Sequence, residues 1–409
     1  MPWREMSPME QRLEFVREYA TELFTMTELA AQYGISRKTG YKWLERYDAE
    51  GADGLRDQSR RPHTCPHAID PEIVDTLMAL RHRHPRWGPK KLIVVAARRE
   101  PTGEWPARST VAALLKRRGL SEARRRRGAR PAVPPPVAPI AAANGTWTTD
   151  FKGAFRTGDG VYCHPFTLRD GFSRYVLRCD ALAGYTHDAT RRCFERAFAE
   201  YGLPQRIRSD NGAPFAGTVA TGLSRLSVWW IRLGIIPERI VPGHPEQNGS
   251  HEQFHAVLKA ATARPPAPTR QGQQRRFDRF RREYNQERPH EALDDRVPAM
   301  LYRPSPRQLP ARLPPLEYPG HFEVRRVYSN GCVWWGSEVR FLSDALMDQD
   351  IGFEEIDDGL WTVWFGSLAI GRYDERQRSF HPISSQRSAG RSASCAGSAP
   401  ALKNGKTDV

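Results

Sequence analysis

Residues 144–262 alternate between strand-like and helix-like runs in an order that few folds can accommodate. Three strand-like segments come first, at 146–152, 161–168 and 173–179, with Gly158-Asp159-Gly160 and Asp170-Gly171 as the turns between them. A helix at 186–201, a strand at 205–210, a helix carrying Trp229 and Trp230, a strand at 235–241 and a final helix follow. This order predicts an α/β domain with a mixed five-stranded sheet, in which the first and fourth strands are neighbours.

Three carboxylates lie at informative places in this pattern. Asp150 belongs to the first strand, in Thr-Trp-Thr-Thr-Asp-Phe-Lys-Gly, and Asp210 ends the fourth strand, in Arg-Ser-Asp-Asn-Gly. Glu252 follows Gln-Asn-Gly-Ser-His, in the first turns of the last helix, where Asn248 is the expected N-cap. Neighbouring strands would bring the two aspartates to one sheet edge, with the glutamate above them. Converging carboxylates repel one another until a cation binds, and hard divalent cations prefer such oxygen ligands.

The motifs W-T-x-D-F, S-D-N-G and N-G-x-x-E, in this order, resemble the catalytic core of the D-D-E transposases of bacterial insertion sequences. These enzymes belong to the retroviral-integrase superfamily, and the resemblance spans roughly residues 144–301. It implies a ribonuclease-H-like core in which Asp150, Asp210 and Glu252 are the catalytic residues and hold two divalent ions, Mg²⁺ or Mn²⁺. The spacing that the family often shows between the second aspartate and the glutamate would select Glu246. The motif N-G-x-x-E, however, matches at Glu252 and places this glutamate on the helix.

Residues 1–58 carry the spacing of a helix-turn-helix domain. Gly34 ends the second of three helices, and Ser36 caps a third that would present Arg37, Lys38, Thr39 and Lys42 to a DNA groove. An ordinary helical hairpin with a solvated basic face is the alternative. Gly40, within this third helix, costs about 1 kcal/mol relative to alanine, for which close packing between helices is one reason.

Residues 64–122 form a second helical module, similar to the second helix-turn-helix unit of the same transposases. DNA contact and a spacer that packs on the first module are the two interpretations. The nearby group His63, Cys65, His67, His82 and His84 lacks a second cysteine and the spacing of a zinc site. Residues 123–143 are an arginine- and proline-rich linker, for which a solvated spacer and DNA contact are equally compatible.

The remaining segments are the core at 144–303, a small all-β, barrel-like domain at 317–376 and a disordered tail at 377–409. The β domain would either bind DNA or act as a packing or dimerisation module. Its interior is predicted to be filled by Val333, Trp334, Trp335, Phe341, Trp361, Val363, Trp364 and Phe365. Beyond Glu252, the side chains of His255 and Lys259 are expected to point the same way as the glutamate and to bind phosphates.

A formal charge of +15 and a pI of about 9.8 favour a polyanionic partner. The expected partner is double-stranded DNA, namely the terminal inverted repeats of the element and the target, bound by a homo-oligomer. The six cysteines form no CxxC pair, and no apolar run approaches the roughly 20 residues of a membrane span, so a bacterial, nucleoid-associated cytoplasmic location is expected.

The function that these features indicate is a transposase that cleaves DNA strands and transfers them in a metal-dependent, in-line reaction. One alternative is a catalytically silent DNA-binding regulator derived from such an enzyme. Another is a general ribonuclease-H-like nuclease that cuts RNA–DNA hybrids, against which the two DNA-reading helical modules argue.

Overall fold

The computed structural model describes residues 6–59, 69–121, 140–217, 221–241, 247, 249–336 and 338–383. Several sequence-based expectations lie outside these residues: Glu246, the cap at Asn248, the cluster at His63, Cys65 and His67, most of the arginine- and proline-rich linker, and nearly all of the C-terminal tail. The chain divides into two compact units, Met1–Asp70 and Pro71–Val409.

The first unit consists of three helices, as predicted: α1 (Pro8–Ala20), α2 (Met26–Gln32) and α3 (Arg37–Glu50). Each begins with a side chain that caps the free backbone N–H groups, from Ser7, Thr25 and Ser36 in turn. Their apolar faces close over a small core of Phe15, Val16, Met26, Leu29, Trp43 and Leu55. The exposed face of α3 is therefore available at the surface of this unit.

Gly40 lies where α3 meets the other two helices, and packing explains its presence. A Cβ atom added there would lie 2.6 Å from Met26 Sδ and 2.9 Å from Phe15 Cζ, inside contact distance. Gly40→Ala is expected to destabilise this unit by about 1–2 kcal/mol, since overpacking outweighs the gain in helix propensity. Hydrogen exchange of residues 8–55 would measure the loss. The exposed α3 substitution Glu45→Ala serves as control, and equal protection in both variants would contradict the explanation.

The second unit opens with α4 (Pro71–Arg83), α5 (Pro89–Arg99) and α6 (Arg108–Arg117). Leu77, Leu80, Trp87, Leu92 and Leu115 are buried among them. We call these three helices the second helical module.

The central sheet follows, with β1 (Thr146–Phe151), β2 (Phe155–Arg156), β3 (Tyr162–Asp170), β4 (Val176–Leu182), β5 (Arg206–Ser209) and β6 (Ile236–Arg239). Its main order is β4-β3-β1-β5-β6, and the short β2 pairs with the start of β3. Strands β4, β3 and β1 are antiparallel, whereas β1, β5 and β6 are parallel. The mixed five-stranded sheet is thus confirmed, including the pairing of its first and fourth long strands.

Helices cover both faces of this sheet. On one face, α7 (His187–Tyr201) and α8 (Arg225–Arg232) bury an aromatic cluster that includes Trp147, Phe166, Phe194 and Trp230. On the other, α9 (Gly249–Thr262) and α10 (Arg270–Gln286) bury Cys179, Phe254, Leu258 and Phe277. The short helix α11 (Pro298–Leu301) follows α10. Alternate residues of β3 and β4 contribute to the two clusters, as a sheet buried on both faces requires.

The C-terminal part is all-β. Its strands are β7 (Glu323–Arg326), β8 (Cys332–Trp335), β9 (Glu338–Phe341), β10 (Asp350–Asp357), β11 (Leu360–Phe365), β12 (Leu368–Asp374) and β13 (Ser379–Pro382). Five of them form an antiparallel sheet in the order β13-β12-β11-β10-β7, and β8 pairs with β9. Two of the expected interior residues prove to be exposed, Trp334 at 46% and Phe341 at 57%, because strand alternation turns them outward while Val333 and Trp335 point inward.

This sheet shares a hydrophobic core with helix α8. Leu223, Val228 and Ile231 pack in one cluster with side chains of the C-terminal strands, among them Val363 and Phe365. The side chain of Arg232 donates a hydrogen bond of 2.7 Å to the amide oxygen of Gln349. Helix α8 therefore has two apolar faces, one towards the central sheet and one towards the C-terminal sheet.

Among the described residues, no helix combines the length and the apolar character that a bilayer span requires.

Candidate active site

The parallel pairing of β1 and β5 sets the positions of the two aspartates. Thr148 lies opposite Arg208 in the register, so Asp150 and Asp210 each follow two residues further along neighbouring strands. Asp210 stands directly after β5, where its Oδ1 accepts the N–H of Gly212 at 3.2 Å. The sheet therefore brings the two carboxyl groups to one edge.

Glu252 lies in the first turn of α9, with an exposed side chain. The start of this helix is attached to β3 through Arg169, whose guanidinium donates to the carbonyl of Ser250 at 2.9 Å and lies 4.7 Å from the centre of the Phe254 ring. Arg169 is almost fully buried, at 1% exposure. Sequence reasoning missed this residue, because a single arginine in a strand carries no signal that it will anchor a distant helix.

The electrostatics of Asp150 reflect both its burial and the two other carboxylates. Burial, followed by the charge of Asp210 and with a smaller contribution from Glu252, raises the pKa of Asp150 to about 7, against the opposing effects of the backbone N–H of Phe151 and of Lys152. Burial also raises the pKa of Asp210. A carboxyl group in such surroundings gains stability from any cation that binds to it.

A hydrogen-bonded network joins β1, β3 and α9 beside Asp150. The hydroxyl of Thr167 donates to the carbonyl of Asp150 at 2.9 Å and lies 2.7 Å from His251 Nε2 and 2.8 Å from His255 Nε2. Because a hydroxyl has one proton and two lone pairs, both Nε2 atoms act as donors. The spacing of His251 and His255, one helical turn apart and in line with Phe254 and Leu258, is the sequence signal that could have placed both in the interior.

The position of His255 differs from the expectation. Its ring is buried, at 4% exposure, and Nδ1 lies 3.6 Å from Asp150 Oδ2. Burial lowers the pKa of His255 to about 3, so the ring is neutral and forms no ion pair with Asp150. The expected shared face with Glu252 is wrong, because the buried stripe of α9 runs through His251, Phe254, His255 and Leu258. Lys259, in contrast, is exposed.

The residues expected to read DNA lie on α3 in the first unit. Arg37, Lys38 and Lys42 are exposed, whereas Thr39 is half-buried and its hydroxyl lies 2.9 Å from that of Ser36. Thr39 thus takes part in capping its own helix. The guanidinium of Arg12 stacks on Trp43 at 4.0 Å and helps to fix the base of this helix.

The donor set at the sheet edge fits a divalent cation in chemistry. Asp150, Asp210 and Glu252 offer carboxylate oxygens, the ligands that Mg²⁺ and Mn²⁺ prefer. In the part of the chain that is described, no three acidic, histidine or cysteine side chains already stand close enough to enclose an ion.

The fold and this carboxylate edge define an integrase-type core. Models of the integrase core domain match residues 141–245 and 233–298. A helix-turn-helix domain model matches residues 11–63, and a homeodomain-like domain model matches residues 39–115.

Two proteins of bacterial insertion elements resemble this chain. An uncharacterized 31.7 kDa protein of insertion element IS407 from Burkholderia multivorans is 26% identical over 234 residues, which cover 56% of this chain and 79% of the relative. An uncharacterized 39.2 kDa protein of insertion element IS476 from Xanthomonas euvesicatoria is 29% identical over 161 residues, covering 39% of this chain and 44% of the relative.

Among solved structures, the magnesium complex of the HTLV-2 integrase catalytic core aligns with 39% of this chain and 97% of its own, at 16% identity and a TM-score of 0.32. The chain is thus of the insertion-sequence transposase type, with helix-turn-helix DNA-binding regions and an integrase-type catalytic core. Its function belongs to transposase-type DNA recombination.

Proposed function

We propose that this protein is a transposase that binds the ends of a mobile element, cleaves a DNA strand there and transfers it to a target by in-line phosphoryl transfer. Asp150, Asp210 and Glu252 form the catalytic site. The observation that carries this proposal is the parallel pairing of β1 with β5, which brings Asp150 and Asp210 to one sheet edge. Burial and the charge of Asp210 raise the pKa of Asp150 there to about 7, with a smaller contribution from Glu252 on α9. A protein rarely keeps such repulsion at a sheet edge for structural reasons alone, whereas perturbed carboxyl groups are common at functional sites.

The chemistry requires charge control at a phosphorus atom that anionic oxygens shield. Two divalent ions, Mg²⁺ or Mn²⁺, supply activation of the attacking oxygen and neutralisation of the leaving oxygen when bound. The side chains of Asp150, Asp210 and Glu252 would hold them, while the exposed residue Lys259 would contact a DNA phosphate. Water attacks first and frees a 3′-hydroxyl at the element end, which then attacks the target strand.

Under this proposal the segments divide the work. Residues 1–58 read the terminal repeat through Arg37, Lys38, Thr39 and Lys42, and residues 64–122 form a second DNA-binding module. Residues 123–143 link these to the catalytic core at 144–303, and residues 317–376 form the β-rich domain that packs on α8. Both ends of an element need a catalytic core, so a homo-oligomer assembled on bacterial DNA in the cytoplasm is the working form.

Asp210→Asn tests the proposal directly. With duplex DNA carrying the terminal inverted repeats and with Mg²⁺, cutting and strand transfer should both fall at least about a thousandfold, because a metal ligand is lost. The affinity for the repeat should stay within about threefold in a gel-shift assay. Asp188→Asn, at an exposed aspartate in the first turn of α7, serves as the matched control and should keep full activity. An Asp210→Asn variant that still cuts would overturn this role.

A further inference from the structure

Side chains of the second helical module make polar contacts with a short segment of the catalytic core, residues 283–295. Arg83 at the end of α4 donates to both carboxylate oxygens of Glu287, at 3.0 Å each. Lys90 lies 3.1 Å from Asp295 and 3.4 Å from Glu291. Lys91 and Arg98 of α5 donate to the carbonyl groups of Pro289 and Asp295.

His84 lies at the centre of this attachment. Its side chain is 2% exposed, its ring stacks on Trp87 at a centroid distance of 3.7 Å and an angle of 7°, and its Nδ1 lies 3.1 Å from a carboxylate oxygen of Glu283. Polar contacts of this density specify one orientation rather than a general affinity, because each donor must meet a particular acceptor.

The attachment segment is itself fixed to the catalytic domain. The side-chain amide of Asn285, on α10, accepts the N–H of Val176 at 2.8 Å and donates to the carbonyl of Val176 at 2.9 Å. The neighbouring ring of Tyr284 packs against Phe254, two residues after Glu252, at 5.2 Å. The second helical module therefore contacts the end of α10, which also packs against α9, the helix that carries Glu252.

This attachment uses α4 and α5 and leaves a polar face of α6 exposed. Arg108, Ser109, Thr110, Lys116 and Arg117 are all exposed there, while Val111, Leu114 and Leu115 face inward. Three cations and two hydroxyls on one exposed helix suit the phosphates and base edges of duplex DNA. Arg83 of α4 and Lys90, Lys91 and Arg98 of α5, in contrast, contact the core.

We propose that the second helical module is a fixed arm of the catalytic unit, in which the contacts between α4–α5 and residues 283–295 determine which phosphodiester bond is cut. Helix α6 binds duplex DNA at a set distance from Asp150. The docking contacts therefore fix the distance along the DNA between the sequence that is bound and the bond that is cut. This inference rests on the proposed function and specifies how its cutting position is chosen.

The test uses the full-length protein and a duplex carrying one terminal inverted repeat. Glu287→Arg places a cation against Arg83 and His84, so hydrogen exchange over residues 71–99 should rise at least threefold. The cut should then spread from one phosphodiester bond to several neighbouring ones, mapped on labelled strands. The double variant Arg83→Glu with Glu287→Arg re-creates an opposite-charge pair with exchanged positions and should restore the single cut.

The outcomes separate this inference from the proposed function. Raised hydrogen exchange of the module with an unchanged cut position would overturn the inference that the docking contacts choose the cut. Unchanged hydrogen exchange would show that these contacts do not hold the module on the core. A hydroxyl-radical footprint with Arg108→Ala and Arg117→Ala needs no cleavage; it should lose the part of the protected region nearest the cut, with roughly tenfold weaker binding. If the unmodified protein binds with the full footprint but never cuts, the proposed function fails while the placement of α6 on DNA stands. An unchanged footprint in both α6 variants would reject the DNA contact.

Discussion

Glu252→Gln is expected to abolish metal-dependent DNA cutting, by at least about a thousandfold, while Glu246→Gln leaves it within about threefold. Glu252 lies in the first turn of a helix that Arg169 and the Thr167 network hold against the sheet edge, and its charge contributes to the raised pKa of Asp150. A glutamine keeps the shape but removes the charged oxygen ligand. The difference between the two variants therefore identifies the third acidic residue.

Cutting of a labelled terminal repeat in Mg²⁺ measures this effect, and a gel shift without metal verifies that both variants still bind DNA. Glu195→Gln, at a partly exposed position of α7, is a third variant that controls for loss of a surface charge. Equal loss in the Glu246 and Glu252 variants would mean that both carboxylates contribute. Loss in the Glu246 variant alone would transfer the assignment to that residue.

Asp150→Asn is expected to make the metal-free protein more stable while it eliminates activity. The pKa of Asp150 is about 7 in the fold and 3.8 in the reference state, so the folded protein binds more protons between these pH values. Its free energy of unfolding therefore decreases as the pH rises from about 4 to about 7, by up to about 4 kcal/mol, and is flat above that. Because asparagine carries no charge at this position, the free energy of unfolding of the Asp150→Asn variant should not show this decrease with pH.

Urea unfolding of metal-free protein at pH 5 and pH 8 would reveal the difference as a higher midpoint of the variant at pH 8. Addition of Mg²⁺ should stabilise the unmodified protein and leave the variant nearly unchanged, because a ligand stabilises only the state that binds it. Asp188→Asn provides the comparison, since the side-chain hydrogen bond with His187 lowers the pKa of Asp188 rather than raising it. A variant at Asp150 that is less stable at pH 8 would contradict the electrostatic account.

The order of elements could be predicted from the sequence because it depends on local periodicity and on turn residues, which are readable along the chain. The pairing of the strand carrying Asp150 with the strand ending at Asp210 was expected from the fold that this order indicates, and not from either strand alone. Gly40 proved to be a site of close helix contact, as its cost within a helix had suggested.

The burial of His255 and the anchoring role of Arg169 could not be predicted in the same way. Both depend on which polar groups meet across β1, β3 and α9, and a pattern of one element carries no information on its partners. The orientation of Trp334 was missed for a different reason: adjacent tryptophans in a strand point to opposite faces, so one of the pair had to face solvent. The attachment of the second helical module to residues 283–295 joins segments about 200 positions apart, beyond the reach of local patterns.

The second apolar face of α8 has a consequence for synthesis of the protein. Val228 and Ile231 remain uncovered on a nascent chain until the strands that carry Val363 and Phe365 have left the ribosome. Segments made early generally fold first, and exposed apolar surface in the interval favours aggregation. A message interrupted between codons 302 and 345 would thus yield a product that chaperones retain and proteases remove.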